Sequence, residues 1–273
     1  RLTDDYRMWL EFWHGWFATK NTDDILNYCS TIEKLDTKSR FILFDIGCAY
    51  SFLGIHDKSL YMFERVRNIS NEYGKDWEYR DFYKYFAYAC HVAGNFKKEA
   101  NILKIGLIYF PNDIEFIASQ AKLALISGNK SDANNLISKY EYLCSRLAFS
   151  EGTTNINLGD LFSEIDSLGR AEKYYRHAFL LEPDNINSIN KLAYFLINTG
   201  RNVNEGLKLI DAALTISPDN FDLLGTKGWG FYKQGDYKNA EDLLEKSWKL
   251  CPSYQHAIYL HLEAVKKALA GEK

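Results

Sequence analysis

The chain has 273 residues, 47% hydrophobic and 25% charged, with a formal net charge of −3. That balance places it among globular chains and excludes disordered, collagenous and disulfide-scaffold classes. A slightly acidic chain with no clustered excess of Lys and Arg argues against nucleic-acid binding. The longest apolar run, 41–55, is broken by Asp45 and falls short of a membrane span. Cys29, Cys48, Cys90, Cys144 and Cys251 are odd in number and lack a C-x-x-C pair, so they read as small buried hydrophobes. Such thiols favour a cytoplasmic location, with the periplasm as the alternative if a signal or lipid anchor precedes Arg1.

In chain order, the first segment, 6–39, is dominated by Trp9, Trp13 and Trp16. It is predicted as a degenerate helical hairpin without a tight crossing, its indoles filling the open end of a core. Six further units start at Arg40, Arg80, Ile114, Gly152, Ile186 and Phe221. Their eighth positions are small: Gly47, Ala87, Ala121, Gly159, Ala193 and Gly228. The twentieth column reads Ser59, Ala100, Ala133, Ala171, Gly206 and Ala240, and the looser twenty-seventh reads Val66, Leu107, Tyr140, Ala178, Ala213 and Ser247. Antiparallel helices approach closely only where the crossing side chains are small, so these columns predict helix pairs.

Turn chemistry gives the same boundaries. Gly54, Gly94, Gly128, Gly200 and Gly235 close the first helices, where a left-handed residue is cheap only for glycine. Pro111, Pro183, Pro218 and Pro252 follow the second helices, and Asn185 and Asn220 sit where caps are needed. Insertions at 74–79 and 148–151 are expected to lengthen the preceding second helices. The segment 255–270 is amphipathic, with Ile258, Ala264 and Val265 opposite Glu263, Lys266 and Lys267, the profile of a capping helix. Strand signals are absent.

Pro183, Pro218 and Pro252 fall 35 and 34 residues apart. With the small-residue columns, this spacing resembles the tetratricopeptide repeat (TPR). The resemblance implies an all-α, right-handed α-solenoid of about seven helix-turn-helix TPR units with a C-terminal capping helix. The units are 6–39, 40–73, 80–113, 114–147, 152–185, 186–220 and 221–254, with the cap at 255–270, in one superhelical domain over 1–273. Leu224, Thr226, Gly228 and Trp229 form an L-x-T-x-G-W segment similar to those of bacterial arrays.

The resemblance further implies a non-enzymatic protein–protein interaction module that binds a partner protein or extended peptide in a concave groove lined by the first helices. The two-carboxylate clamp of some family members is not matched: Lys84 fits, but Tyr88, Ser119, Thr153 and Asn157 replace its other residues. The groove positions carry Lys84, Tyr85, Tyr88, Asn157, Asn190, Lys191, Tyr194, Trp229 and Tyr232, with Phe41, Phe44, Asn187 and Asn198 beside them. Aromatic rings give large contact area at little rotamer cost, amides can satisfy a peptide backbone, and the two lysines can anchor acidic groups. Phe41 and Phe44 serve equally well as seals between repeats. No catalytic constellation, cofactor loop or metal-ligand spacing is present, and the six histidines never form H-x-x-x-H. The alternative function is a regulatory or sensory TPR region of a larger bacterial protein, a transcription regulator or envelope assembly factor.

Overall fold

A computed structural model describes residues 3–35, 37–74 and 76–271. Among them the only regular structure is helical. The helices are α1 (Asp4–His14), α2 (Thr22–Lys34), α3 (Arg40–Phe52), α4 (His56–Glu72), α5 (Arg80–Val92), α6 (Phe96–Tyr109), α7 (Ile114–Ile126) and α8 (Lys130–Arg146). They continue as α9 (Glu151–Glu164), α10 (Leu168–Leu181), α11 (Ile186–Asn198), α12 (Val203–Ile216), α13 (Phe221–Lys233), α14 (Tyr237–Leu250) and α15 (His256–Leu269). The chain forms two compact units, residues 1–140 and 141–273. Each is a stack of antiparallel helix pairs, the architecture of an α-solenoid.

Local chemistry sets the helix ends. The side chains of Ser39, Asn95, Asp113, Ser150, Asn185, Asn202, Asn220 and Asp236 each accept a backbone N–H in the first turn of the following helix. Gly200 and Gly235 close α11 and α13 at φ of 69° and 83°. The helix pair α9–α10 has no glycine at this place: Asp166 takes the left-handed conformation instead, at φ 56°. The second helices α4 and α8 reach 17 residues where α6, α10, α12 and α14 have 14. The described residues of the first insertion, 74 and 76–79, lie outside the helices, and Trp77 among them packs edge-on to Phe41 and Phe44, at 4.9 and 6.0 Å.

The core lies at the crossings. A methyl group on Gly47 would meet the Phe63 ring at 2.9 Å, one on Gly159 the Tyr175 ring at 2.7 Å, and one on Gly228 the Leu244 side chain at 2.8 Å. Ala171, Ala193, Ala213 and Ala240 are fully buried in the same seams. In the pair α5–α6 the expected crossing residues Ala100 and Leu107 are displaced by one: Glu99 and Gly106 take the buried sites and Ala100 is exposed. Gly106 abuts Phe116 and Tyr83, while the Glu99 carboxylate is tolerated because His91 Nδ1 lies 2.8 Å from it. The first hairpin also departs from expectation. Buried Gly15, opening a π-helical stretch Gly15–Thr19, packs against Ile25 and Tyr28, so a small residue does mark the crossing. Trp13 is only half-buried, and Trp9 Nε1 donates to Asp45 of α3 at 2.7 Å. Cys29, Cys90, Cys144 and Cys251 are buried and Cys48 is half-buried, all as free thiols.

Two measurements test this packing. A helical Gly→Ala change gains up to about 1 kcal/mol of intrinsic propensity. At Gly228 overpacking against Leu244 and the Ala240 carbonyl costs about 1–3 kcal/mol, which exceeds that gain. Gly225 on the same helix is also buried, yet a methyl there would have one close neighbour, the Ser247 hydroxyl at 3.2 Å, against 2.8 Å to Leu244 and 3.1 Å to the Ala240 carbonyl at Gly228. Thermal unfolding should therefore place Gly228→Ala well below wild type and Gly225→Ala within a degree or two of it, at about 4 °C per kcal/mol. Asp166→Gly removes a left-handed non-glycine residue and should raise stability by up to about 1 kcal/mol in the same assay.

Candidate functional site

In the unit 141–273, α9, α11, α13 and α15 pack side by side, with α10, α12 and α14 forming the layer behind them. The 3.6-residue period sends one stripe of each first helix away from that second layer. On α11 the stripe holds Asn190, Lys191, Tyr194 and Asn198, on α13 it holds Thr226, Trp229, Tyr232 and Lys233, and on α9 it holds Asn157 and Asp160.

These side chains form two clusters. Between α9 and α11, Lys191 Nζ lies 2.8 Å from Asp160 Oδ2, and the Tyr175 hydroxyl donates to Asp160 Oδ1 at 2.6 Å. Asp160, Ser163, Glu164, Lys191, Tyr194 and Asn198 line a cleft of about 290 Å³ here. Between α11 and α13, Trp229 stacks on Tyr232 at 4.6 Å and on His261 of α15 at 3.9 Å, with interplanar angles of 6° and 8°. Tyr194 approaches the same imidazole at 6.4 Å, and Lys233 Nζ lies 5.0 Å from the indole centroid. Trp229 Nε1 donates to Asn198 Oδ1 at 3.0 Å, and the Thr226 hydroxyl donates to Asn190 Oδ1 at 2.8 Å. An indole N–H only donates, so it fixes the Asn198 amide with its NH₂ group turned away from the indole.

Of the residues selected from sequence, Asn190, Lys191, Tyr194, Trp229 and Tyr232 come together in this unit, and half-buried Asn157 stands on the neighbouring α9. Lys191 differs from the expected free anchor: Asp160 already neutralises it. Lys84, Tyr85 and Tyr88 belong to the other unit, on α5. Lys84 is also occupied, with its Nζ 3.0 Å from Glu115, which Arg80 shares. Tyr85 packs edge-on against Phe44 and Phe52 at 5.9 and 5.8 Å, and Tyr88 is 45% exposed. Phe44 is buried and acts as a seal, whereas Phe41 stays exposed beside Trp77. Sequence reasoning omitted Lys233 and His261. Lys233 was legible at the thirteenth position of its unit, but His261 meets Trp229 only through the packing of α15.

Among the described residues no helix is long and apolar enough to cross a membrane, and no group of three or more His, Cys, Asp or Glu residues converges as metal ligands would.

His261 carries a pH signature. Burial, aided by the positive charge of Lys233, pushes its pKa down to about 4. The ordinary value of about 6.5 applies in the unfolded chain. Below that value the unfolded state takes up a proton that the folded state refuses, so stability is lost as pH falls from about 6.5 towards 4. His261→Phe keeps a ring on Trp229 without titrating, and its melting temperature should fall less steeply than wild type over that window. Parallel curves would show that the imidazole is not held neutral there.

The model of the tetratricopeptide repeat matches residues 153–185, the α9–α10 pair. A TPR repeat-containing protein of Pseudomonas aeruginosa is 32% identical over 95 residues, which make up 35% of this chain and 16% of that protein. The alignment thus spans well under two thirds of that relative's length. A tetratricopeptide repeat protein of Parabacteroides merdae superposes with a TM-score of 0.51 at 13% identity, covering 96% of this chain and 98% of the other. YrrB, a TPR protein described as having an unusual peptide-binding site, superposes with a TM-score of 0.39 at 15% identity, over 67% of this chain and 92% of its own. The match at 153–185, together with the repeat spacing and the small-residue crossings, marks the α9–α10 pair as a tetratricopeptide-type unit within an α-solenoid.

Proposed function

We propose that this protein binds an extended peptide segment of a partner protein along the first-helix face of the unit 141–273. TPR folds serve in general as protein–protein interaction modules, and this reading specifies where the contact is made. The observation that carries it is the contiguous surface of Tyr194, Asn198, Trp229 and Tyr232, in which rings alternate with an amide of fixed orientation. Aromatic platforms supply most of the energy at peptide interfaces, and the Asn190 and Asn198 NH₂ groups supply donors for backbone carbonyls. Asn157 extends the same chemistry towards α9. On α5, Tyr85 and Tyr88 offer a smaller aromatic surface in the first unit.

The test starts from capture of a partner with the full chain and its identification by mass spectrometry, followed by calorimetry. Tyr194→Ala and Trp229→Ala should each weaken binding by about 1–2 kcal/mol or more, and Tyr88→Ala should do so if the first unit shares the contact. Trp229→Ala should also lower the melting temperature, because it removes the stacking partner of His261. Unchanged affinity in folded Tyr194→Ala and Trp229→Ala proteins removes the first-helix face as the binding surface.

A further inference from the structure

We propose that the end of this face formed by α11, α13 and α15 reads a carboxylate: an acidic side chain of the bound peptide docks on Lys233 and Asn198, its neighbours lying against Trp229 and Tyr232. This rests on the peptide-binding reading above and names the chemistry of the partner.

The argument begins with which cations are already occupied. Lys191 is paired with Asp160 and Lys84 with Glu115, while Lys227 on α13 is paired with Asp211 at 2.8 Å. Lys233 is exposed, and among the described residues it has no carboxylate within ion-pair distance. The acidic side chains nearest to it in sequence and on α15 are engaged elsewhere. Asp236 caps α14 by accepting from Asn239, and Glu263 lies 3.8 Å from Lys266. The positive charge of Lys233 reaches His261, where it adds to burial in disfavouring the protonated imidazole.

Donor geometry points the same way. Asn198 Oδ1 is taken by the Trp229 indole, so that amide faces a ligand with N–H groups and not with its carbonyl. A lysine ammonium offers donors only. The corner therefore presents donors and an apolar floor, which complements a carboxylate beside apolar residues. The half-charge of the α13 C-terminus opposes an anion, but the carbonyls of Gly230, Phe231 and Tyr232 are each bonded by the following turn, and Lys233 places a positive charge in that last turn.

The experiment uses the full chain labelled with ¹⁵N and follows the Trp229 indole N–H resonance, assigned by its disappearance in Trp229→Phe. The probes are two N-acetylated, C-amidated hexapeptides, one alternating Asp with Leu and one alternating Asn with Leu. The Asp peptide should shift the resonance and bind at least about tenfold more tightly than the Asn peptide, with the difference shrinking at high salt, as a charge-assisted contact requires. In Lys233→Met the preference should vanish, whereas Lys238→Met on α14, with the same change in net charge, should retain it. Equal binding of the two peptides, with the resonance still moving, overturns the carboxylate inference and leaves the peptide face intact. No movement with either peptide overturns both. A preference that persists in Lys233→Met overturns the assignment to that lysine.

Discussion

The helix pairs of this chain close where a residue without a side chain, or with only a methyl, lets a ring or branched chain from the second helix lie against the backbone of the first. Gly47 receives Phe63, Gly159 receives Tyr175, and Gly228 receives Leu244. Each contact fixes the distance and crossing of one pair, and so fixes which stripe of the first helix points away from the second. The side chains of the α11 and α13 stripes share a surface only because those crossings hold. The buried Glu99 shows how far this constraint can be bent: a carboxylate occupies a crossing because His91 is placed to meet it.

On the exposed face, polar chemistry is decided between helices. Asp160 holds Lys191 on one side and the Tyr175 hydroxyl on another, which removes a cation from the surface and ties α9 to α10 and α11. The Trp229 indole does the reverse for Asn198, taking its carbonyl and leaving its amide hydrogens. The face thereby changes character along the stack, from a neutralised ion pair near α9 to a donor-rich corner near α13. The exposed ion pairs contribute modestly to stability, and their larger effect is to determine which charges remain available to a ligand.

The last helix serves two ends of the physics at once. Ile258, Leu262 and Val265 of α15 complete the apolar cluster of Ala240, Leu244 and Cys251. One turn away, His261 lays its ring on Trp229 and so supports the aromatic floor of the candidate site. Burial that keeps this imidazole neutral also keeps a second positive charge away from Lys233 near neutral pH.

Much of this was legible in the sequence, because small residues, glycines and prolines act locally. Gly200 and Gly235 mark left-handed turns that other residues adopt at a cost, and Asn185 and Asn220 cap helices through bonds to residues two or three positions on. The resemblance to the tetratricopeptide repeat and the aromatic composition of the face rested on the same periodicity. A one-residue displacement at Glu99, the left-handed Asp166 at a turn without glycine, and Gly15 as the first crossing escaped it; at Glu99 the poor local choice is offset by His91 on the partner helix. The state of the site escaped it altogether. Whether a lysine is free, which end of an asparagine faces outward and which ring lies on Trp229 are set by side chains more than 25 residues apart in sequence, as in Lys191 with Asp160, Asn198 with Trp229 and Trp229 with His261. Periodicity places residues on a face, but only the packed helices bring a donor within reach of an acceptor and thereby determine what the face can bind.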